Sequence, residues 1–170
     1  MKIESDSVEQ TIGYGKSIAH LLRPDDMLVL CGDLGAGKTH FTKGVAKGLG
    51  VFDEITSPTF NILRTHDGTP GYDDPTGNFN GKEDMPTLAH WDLYRLDEPS
   101  QLNDVDFFGI VESGVISLVE WGDKFPDELP DDYVEVDITL DADGKRVLEL
   151  SALGDRGNEL LSQIEQVLVS

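Results

Sequence analysis

Cysteine is almost missing from this 170-residue chain: Cys31 is the single one, so no internal disulfide can form, as expected in a reducing compartment. Positive charge is scarce too. Thirteen Lys and Arg stand against 33 Asp and Glu, giving a formal net charge of −20 and a pI near 4.2. A surface that acidic repels phosphate groups, which argues against unaided binding to nucleic acid or to an anionic membrane. No apolar run approaches the roughly eighteen residues of a membrane span, and the opening MKIESDSVEQ lacks the apolar stretch of a secretory leader. The expectation is a soluble, cytoplasmic protein. What is present is ordinary. Hydrophobic residues make up 38%, a typical globular share once the 18 glycines are counted, and the length suits one domain over 1–170.

Periodicity predicts a helix over 7–23 through Val8, Ile12, Ala19 and Leu22, capped by Asp6 or Ser7 and weakened by Gly13 and Gly15. Met27 to Cys31 is continuously apolar, the mark of a strand buried on both faces. A glycine turn at 32–37 leads into a helix from Thr39 to Leu49, stopped by Gly50. Strands are expected at 60–65 and 87–93, a short helix at 98–108, and another buried strand at 115–119 ending in Glu120. Alternation from Tyr133 to Leu140, the turn Asp141-Ala142-Asp143-Gly144 and a strand at 146–150 read as a hairpin. An amphipathic helix over 157–168 follows. Strands and helices mix without repeats, so the expected class is a layered α/β domain. Residues 66–86, with five carboxylates, one Lys and frequent Gly and Pro, read as an exposed acidic loop.

The strongest signal is Gly32-Asp33-Leu34-Gly35-Ala36-Gly37-Lys38-Thr39, a full match to the phosphate-loop pattern G-x-x-x-x-G-K-[ST]. A buried strand precedes it and a helix follows, as that motif requires. Glycines let the backbone curl so that successive N–H groups point at phosphates. The helix start adds its positive end. Lys38 reaches the β and γ oxygens, and the Thr39 hydroxyl is placed to hold Mg²⁺. Residues 34–52 contain Lys38, Lys43 and Lys47 and no carboxylate, the one anion-friendly stretch of the chain.

A phosphate loop needs a second carboxylate near its metal, at the end of another buried strand. Glu120 supplies one, and Asp92 competes with it; one is expected on the metal and one on the attacking water. Other chemistry is disfavoured. The guanine-reading N-K-x-D motif is absent, and the D-x-x-G matches at Asp74–Gly77 and Asp141–Gly144 fall in loop and hairpin. ATP is therefore preferred to GTP. No Arg-rich lid follows Glu120, and His20, His40, His66 and His90 form no zinc-type cluster.

GDLGAGKT at 32–39, SPTF at 57–60, HWDLYR at 90–95 and LVEW at 118–121 together resemble the TsaE (YjeE) family of small bacterial P-loop ATPases. The order and spacing are similar throughout, apart from a longer 66–86 stretch. The resemblance implies a P-loop NTPase-like three-layer α/β/α fold with a mixed central sheet. It implies Gly32, Asp33, Gly35, Ala36, Gly37, Lys38 and Thr39 on the nucleotide, with Thr39 and Glu120 on Mg²⁺. Thr59 is implied as the γ-phosphate sensor and Asp92 as the carboxylate of hydrolysis. Trp121 is expected beside the nucleotide, and Lys145 or Arg146 on its flank. Family members act with TsaD and TsaB, which transfer threonylcarbamoyl to an adenosine next to the anticodon, and ATP hydrolysis is thought to reset that pair. tRNA is thus an indirect partner, and neither DNA nor membrane is one. The competing readings are a small-molecule phosphotransferase and a nucleotide-binding scaffold with negligible turnover.

Overall fold

The structure, a computed structural model, describes residues 1–69 and 85–169. Seven strands form one sheet in the order β1-β7-β6-β2-β5-β4-β3. At its centre β2 (Met27–Cys31) is buried along its whole length, between parallel partners β5 (Ile116–Glu120) and β6 (Tyr133–Leu140). β4 (Thr87–Asp92) extends the parallel set beyond β5. The flanks are antiparallel: β3 (Leu63–Asp67) on β4, and β7 (Arg146–Leu153) and β1 (Lys2–Ser5) beyond β6. The sheet is mixed, as the sequence implied.

Alternation along the central strands divides two cores. Leu28, Leu30, Leu88 and Leu118 pack on one face with α1 (Val8–Ala19), α2 (Lys38–Gly48) and α5 (Gly154–Leu168). Met27, Val29, Trp91 and Val119 pack on the other with α3 (Gln101–Asp104) and α4 (Phe107–Val111). Helices therefore cover both faces, and the loops at the carboxyl ends of β2, β4 and β5 converge on one edge. Open α/β sheets bind ligands there.

The α1 start follows its cap: Ser7 Oγ accepts from the Gln10 amide at 3.1 Å. Gly15, which weakens α1 on propensity, is needed for its packing. A Cβ there would lie 2.4 Å from the Phe41 carbonyl oxygen, and one on Gly44 2.1 Å from that of Ile12. The two helices approach backbone to backbone.

The structure corrects several expectations. The strand at 60–65 begins only at Leu63, because the Pro58 carbonyl accepts the amides of Asn61 and Ile62 at 2.8 and 2.7 Å and closes a turn. The helix at 98–108 is two short helices, broken where Asp106 takes a left-handed φ of 52°. β1 was not expected; four residues of alternating burial are too few to stand out. The loop at 66–86 starts later, since His66 and Asp67 belong to β3 and buried His66 meets Asp53 at 3.1 Å. Residues 70–84 of that loop, including Asp74–Gly77, lie outside the described residues. Asp141–Gly144 is the β6–β7 turn, closed from the Gly144 amide to the Asp141 carbonyl at 3.1 Å.

Candidate active site

β2 ends at Cys31, and the chain turns at once through Gly32, whose φ of 126° carries it into the loop. A Cβ at Gly32 would lie 2.2 Å from the Ile138 carbonyl oxygen on β6, so the loop seats directly against the sheet. Gly35 and Gly37 also hold positive φ, and α2 starts at Lys38. In the turn 33–37, among the described residues, only the Ala36 amide is seen donating to another backbone group, the Asp33 carbonyl at 3.1 Å. Its neighbours, with the first amides of α2, form a ring of uncommitted donors.

Lys38 is buried, with Nζ donating to the carbonyls of Gly32 at 2.5 Å and Asp33 at 3.1 Å. The same ammonium sits 4.5 Å from the centroid of the Trp121 ring. Trp121 follows β5 directly with a left-handed φ of 62°, and its ring also meets that of Tyr94 at 5.2 Å. The ring and the carbonyls hold the cation at the loop's mouth.

The carboxylates arrive on neighbouring strands. Parallel register sets Asp92 beside Glu120, and both are buried. Asp92 Oδ2 accepts from Ser57 Oγ at 2.8 Å and from Thr59 Oγ1 at 2.6 Å, while Oδ1 accepts from the Tyr94 amide at 3.1 Å. The two hydroxyls lie 2.7 Å apart, so SPTF is pinned to the end of β4. Glu120 Oε1 meets His90 Nε2 at 2.8 Å, wholly inside the protein. Lys38, Thr39, Thr59, Asp92, Glu120 and Trp121 all line one cavity of about 670 Å³, together with Asp33, Gly35 and Gly37. That volume lies in the usual range of a small-molecule site.

On the other flank, Arg146 Nε donates to the Ala36 carbonyl at 3.0 Å, and a Cβ on Gly37 would lie 2.8 Å from that nitrogen. Lys145, one position earlier, instead pairs with Asp6 at 2.7 Å and does not line the cavity. Lys145 belongs to the β6–β7 turn, whereas Arg146 opens β7. His40 also lines the cavity; burial first, then Arg146 and Lys43, push its pKa down, so it is neutral at pH 7.

A second cavity, about 640 Å³, lies on the far side of the loop between Cys31, Asp123, Glu135 and Asp137. Burial, then Asp123, Glu135 and Asp137, push the Cys31 thiol far up, which leaves it protonated and unreactive. Burial, then Asp123 and Asp137, raise the Glu135 carboxyl.

Three site residues escaped the sequence reading. Ser57 and His90 stood in the SPTF and HWDLYR segments with no role assigned, and His40 only among histidines that form no zinc-type cluster. For His90 a signal existed: it lies two residues before Asp92 on a strand, which places both on one face.

The TsaE family profile, described as threonylcarbamoyl adenosine biosynthesis protein TsaE, matches residues 5–148. This chain belongs to the TsaE family. It is 34% identical over 151 residues to the Treponema pallidum protein named tRNA threonylcarbamoyladenosine biosynthesis protein TsaE, covering 89% of this chain and all of the relative. A Bacillus subtilis protein of the same name is 30% identical over 166 residues, covering 98% of this chain and 94% of the relative. The crystal structure of Bacillus subtilis YdiB superposes with a TM-score of 0.74 at 28% identity, covering 98% and 94% of the two chains. The P-loop-like α/β fold of this chain is thus shared with a solved relative.

Proposed function

We propose that this protein is a Mg²⁺-dependent ATPase that binds a TsaD–TsaB pair and supports threonylcarbamoyladenosine modification of tRNA, hydrolysis resetting the pair between turnovers. One observation carries the reading: the loop cation, the loop hydroxyl, the SPTF threonine and both strand-end carboxylates line a single cavity. The donor set suits Mg²⁺, which prefers one or two carboxylates, a hydroxyl and phosphate oxygens to an all-protein cage. Thr39 and Glu120 would hold it, and when bound it neutralises charge on the β and γ oxygens.

The chain's own groups divide the work. The loop amides and Lys38 bind and orient the phosphates, at the N-terminus of α2 where anions are favoured. Asp92 faces the same cavity and is the group to orient the attacking water and take its proton. Thr59, hydrogen-bonded to Asp92, links that carboxylate to the γ-phosphate position. Trp121 and Tyr94 wall the mouth against water. Leu34, Phe60 and Tyr94 are 93%, 84% and 56% exposed beside that mouth, a concentration of apolar surface suited to a protein partner that senses nucleotide.

Phosphate release is measured for the isolated chain and with purified TsaD–TsaB, and binding to that pair is measured with ATP and with ADP. Weak basal release, a clear rise with the pair, and nucleotide-dependent binding lost in Thr59→Ala are expected. A phosphorylated small-molecule product would favour the phosphotransferase instead. ATP left intact with partners present would favour the scaffold.

A further inference from the structure

His90 occupies a position built for an aliphatic residue. It lies on β4 two residues after Leu88, beside Leu118, and has no exposed surface. Its Nδ1 is buried without a partner, a free-energy cost that a Leu or Phe would avoid. Its other ring nitrogen lies 2.8 Å from Glu120 Oε1. A carboxylate oxygen only accepts, so Nε2 carries the proton and donates. Among the described hydrogen bonds none reaches Oε2 of Glu120, whose side chain lines the nucleotide cavity.

We propose that His90 is a positioning residue for the metal site: by fixing one oxygen of Glu120 it presents the other to Mg²⁺. The proposal rests on the reading of Glu120 as a Mg²⁺ ligand. The logic is that of a hydrogen-bonded ligand carboxylate, whose outer partner removes rotational freedom that metal binding otherwise has to remove. Among the described residues the other buried histidine, His66, pairs with exposed Asp53, and neither lines this cavity.

The test separates the two ring nitrogens. A Gln side chain carries its amide nitrogen to about where Nε2 sits, whereas Asn reaches only to about Nδ1. Mg²⁺ is titrated against wild type, His90→Gln, His90→Asn and Glu120→Gln with a fluorescent ATP analogue, and affinity for that analogue is also measured in EDTA. His90→Asn is expected to need about 10–100-fold more Mg²⁺, with metal-free affinity within about twofold of wild type. His90→Gln is expected to recover most of the loss. A His90→Asn midpoint equal to wild type, an equal loss in EDTA, or no advantage of Gln over Asn would overturn the proposal. An unchanged midpoint in Glu120→Gln would instead remove the metal reading beneath it. If a histidine variant fails to fold, nitrogen-15 spectra of the wild type decide. The Nε2–H tautomer, with a resonance that shifts on adding the analogue with Mg²⁺ but not in EDTA, is expected; the Nδ1–H tautomer or an unmoved resonance would refute it.

Discussion

Asp92 accepts three hydrogen bonds, from Ser57, Thr59 and the Tyr94 amide, and so couples the SPTF segment to the end of β4. Asp92→Asn keeps the shape but removes the charge and the proton acceptor. ATP affinity is expected to stay within about threefold while turnover falls by about 10²–10⁴, the usual worth of a general base; stopped-flow binding and phosphate release separate the two. Lys38→Ala removes the buried side-chain cation held by the loop carbonyls and is expected to weaken ATP binding by at least about 100-fold, about 3 kcal/mol for a charge-assisted contact. Near-normal binding measured by calorimetry would discard the phosphate-loop argument. Glu135 gives a pH-dependent case. Its pKa is raised in the fold, mainly by burial, so the folded chain holds that proton more tightly than the unfolded chain. Stability from this group is full below its ordinary value and is lost as pH rises through the folded value. Glu135→Gln is therefore expected to raise Tm at pH 7 by a few degrees at most, and the difference should vanish near pH 4.

At the scale of elements, α1 and α2 meet through glycines. Gly44→Ala would drive a Cβ to 2.1 Å from the Ile12 carbonyl oxygen, a backbone atom that cannot swing aside. A loss of about 2–4 kcal/mol is expected in urea unfolding. Gly13→Ala is the contrast, since nothing lies within 4 Å of its Cβ, and a gain of about 0.5–1 kcal/mol is expected from helix propensity. The same pair shows what sequence could reveal. β2 and β6 were legible to the residue because burial patterning and turn chemistry agreed there. Gly15 read as a weakness because propensity is local, whereas its use depends on Phe41 across the helix pair. Pro58 closed a turn where β-rich residues suggested strand, and Asp106 broke a helix through a backbone angle no side-chain pattern encodes. The loop residues of the site were legible because Gly32 to Thr39 are contiguous. The pairing of His90 with Glu120 was not, because the two lie thirty residues apart, and spacing along β4 signals only that His90 shares a face with Asp92.

At the scale of the whole molecule, charge governs partners. A chain at −20 has few cations to neutralise tRNA phosphates, and Lys38 and Arg146 are engaged with the phosphate loop. Free tRNA is expected to bind negligibly at physiological salt, as fluorescence anisotropy would show. Tight binding by the isolated chain would contradict an indirect route to tRNA. The exposed side chains Leu34 and Phe60 are the surface on which the proposed nucleotide-sensing partner is expected to dock. The most direct test of the central claim is multiple-turnover threonylcarbamoyladenosine formation, reconstituted with TsaD, TsaB, tRNA and a threonylcarbamoyl donor. Product is expected to stop near one equivalent per TsaD–TsaB pair without this chain or with Lys38→Ala, and to continue over many turnovers with wild type and ATP. Sustained turnover without the chain, or equal support from Lys38→Ala, would contradict the account.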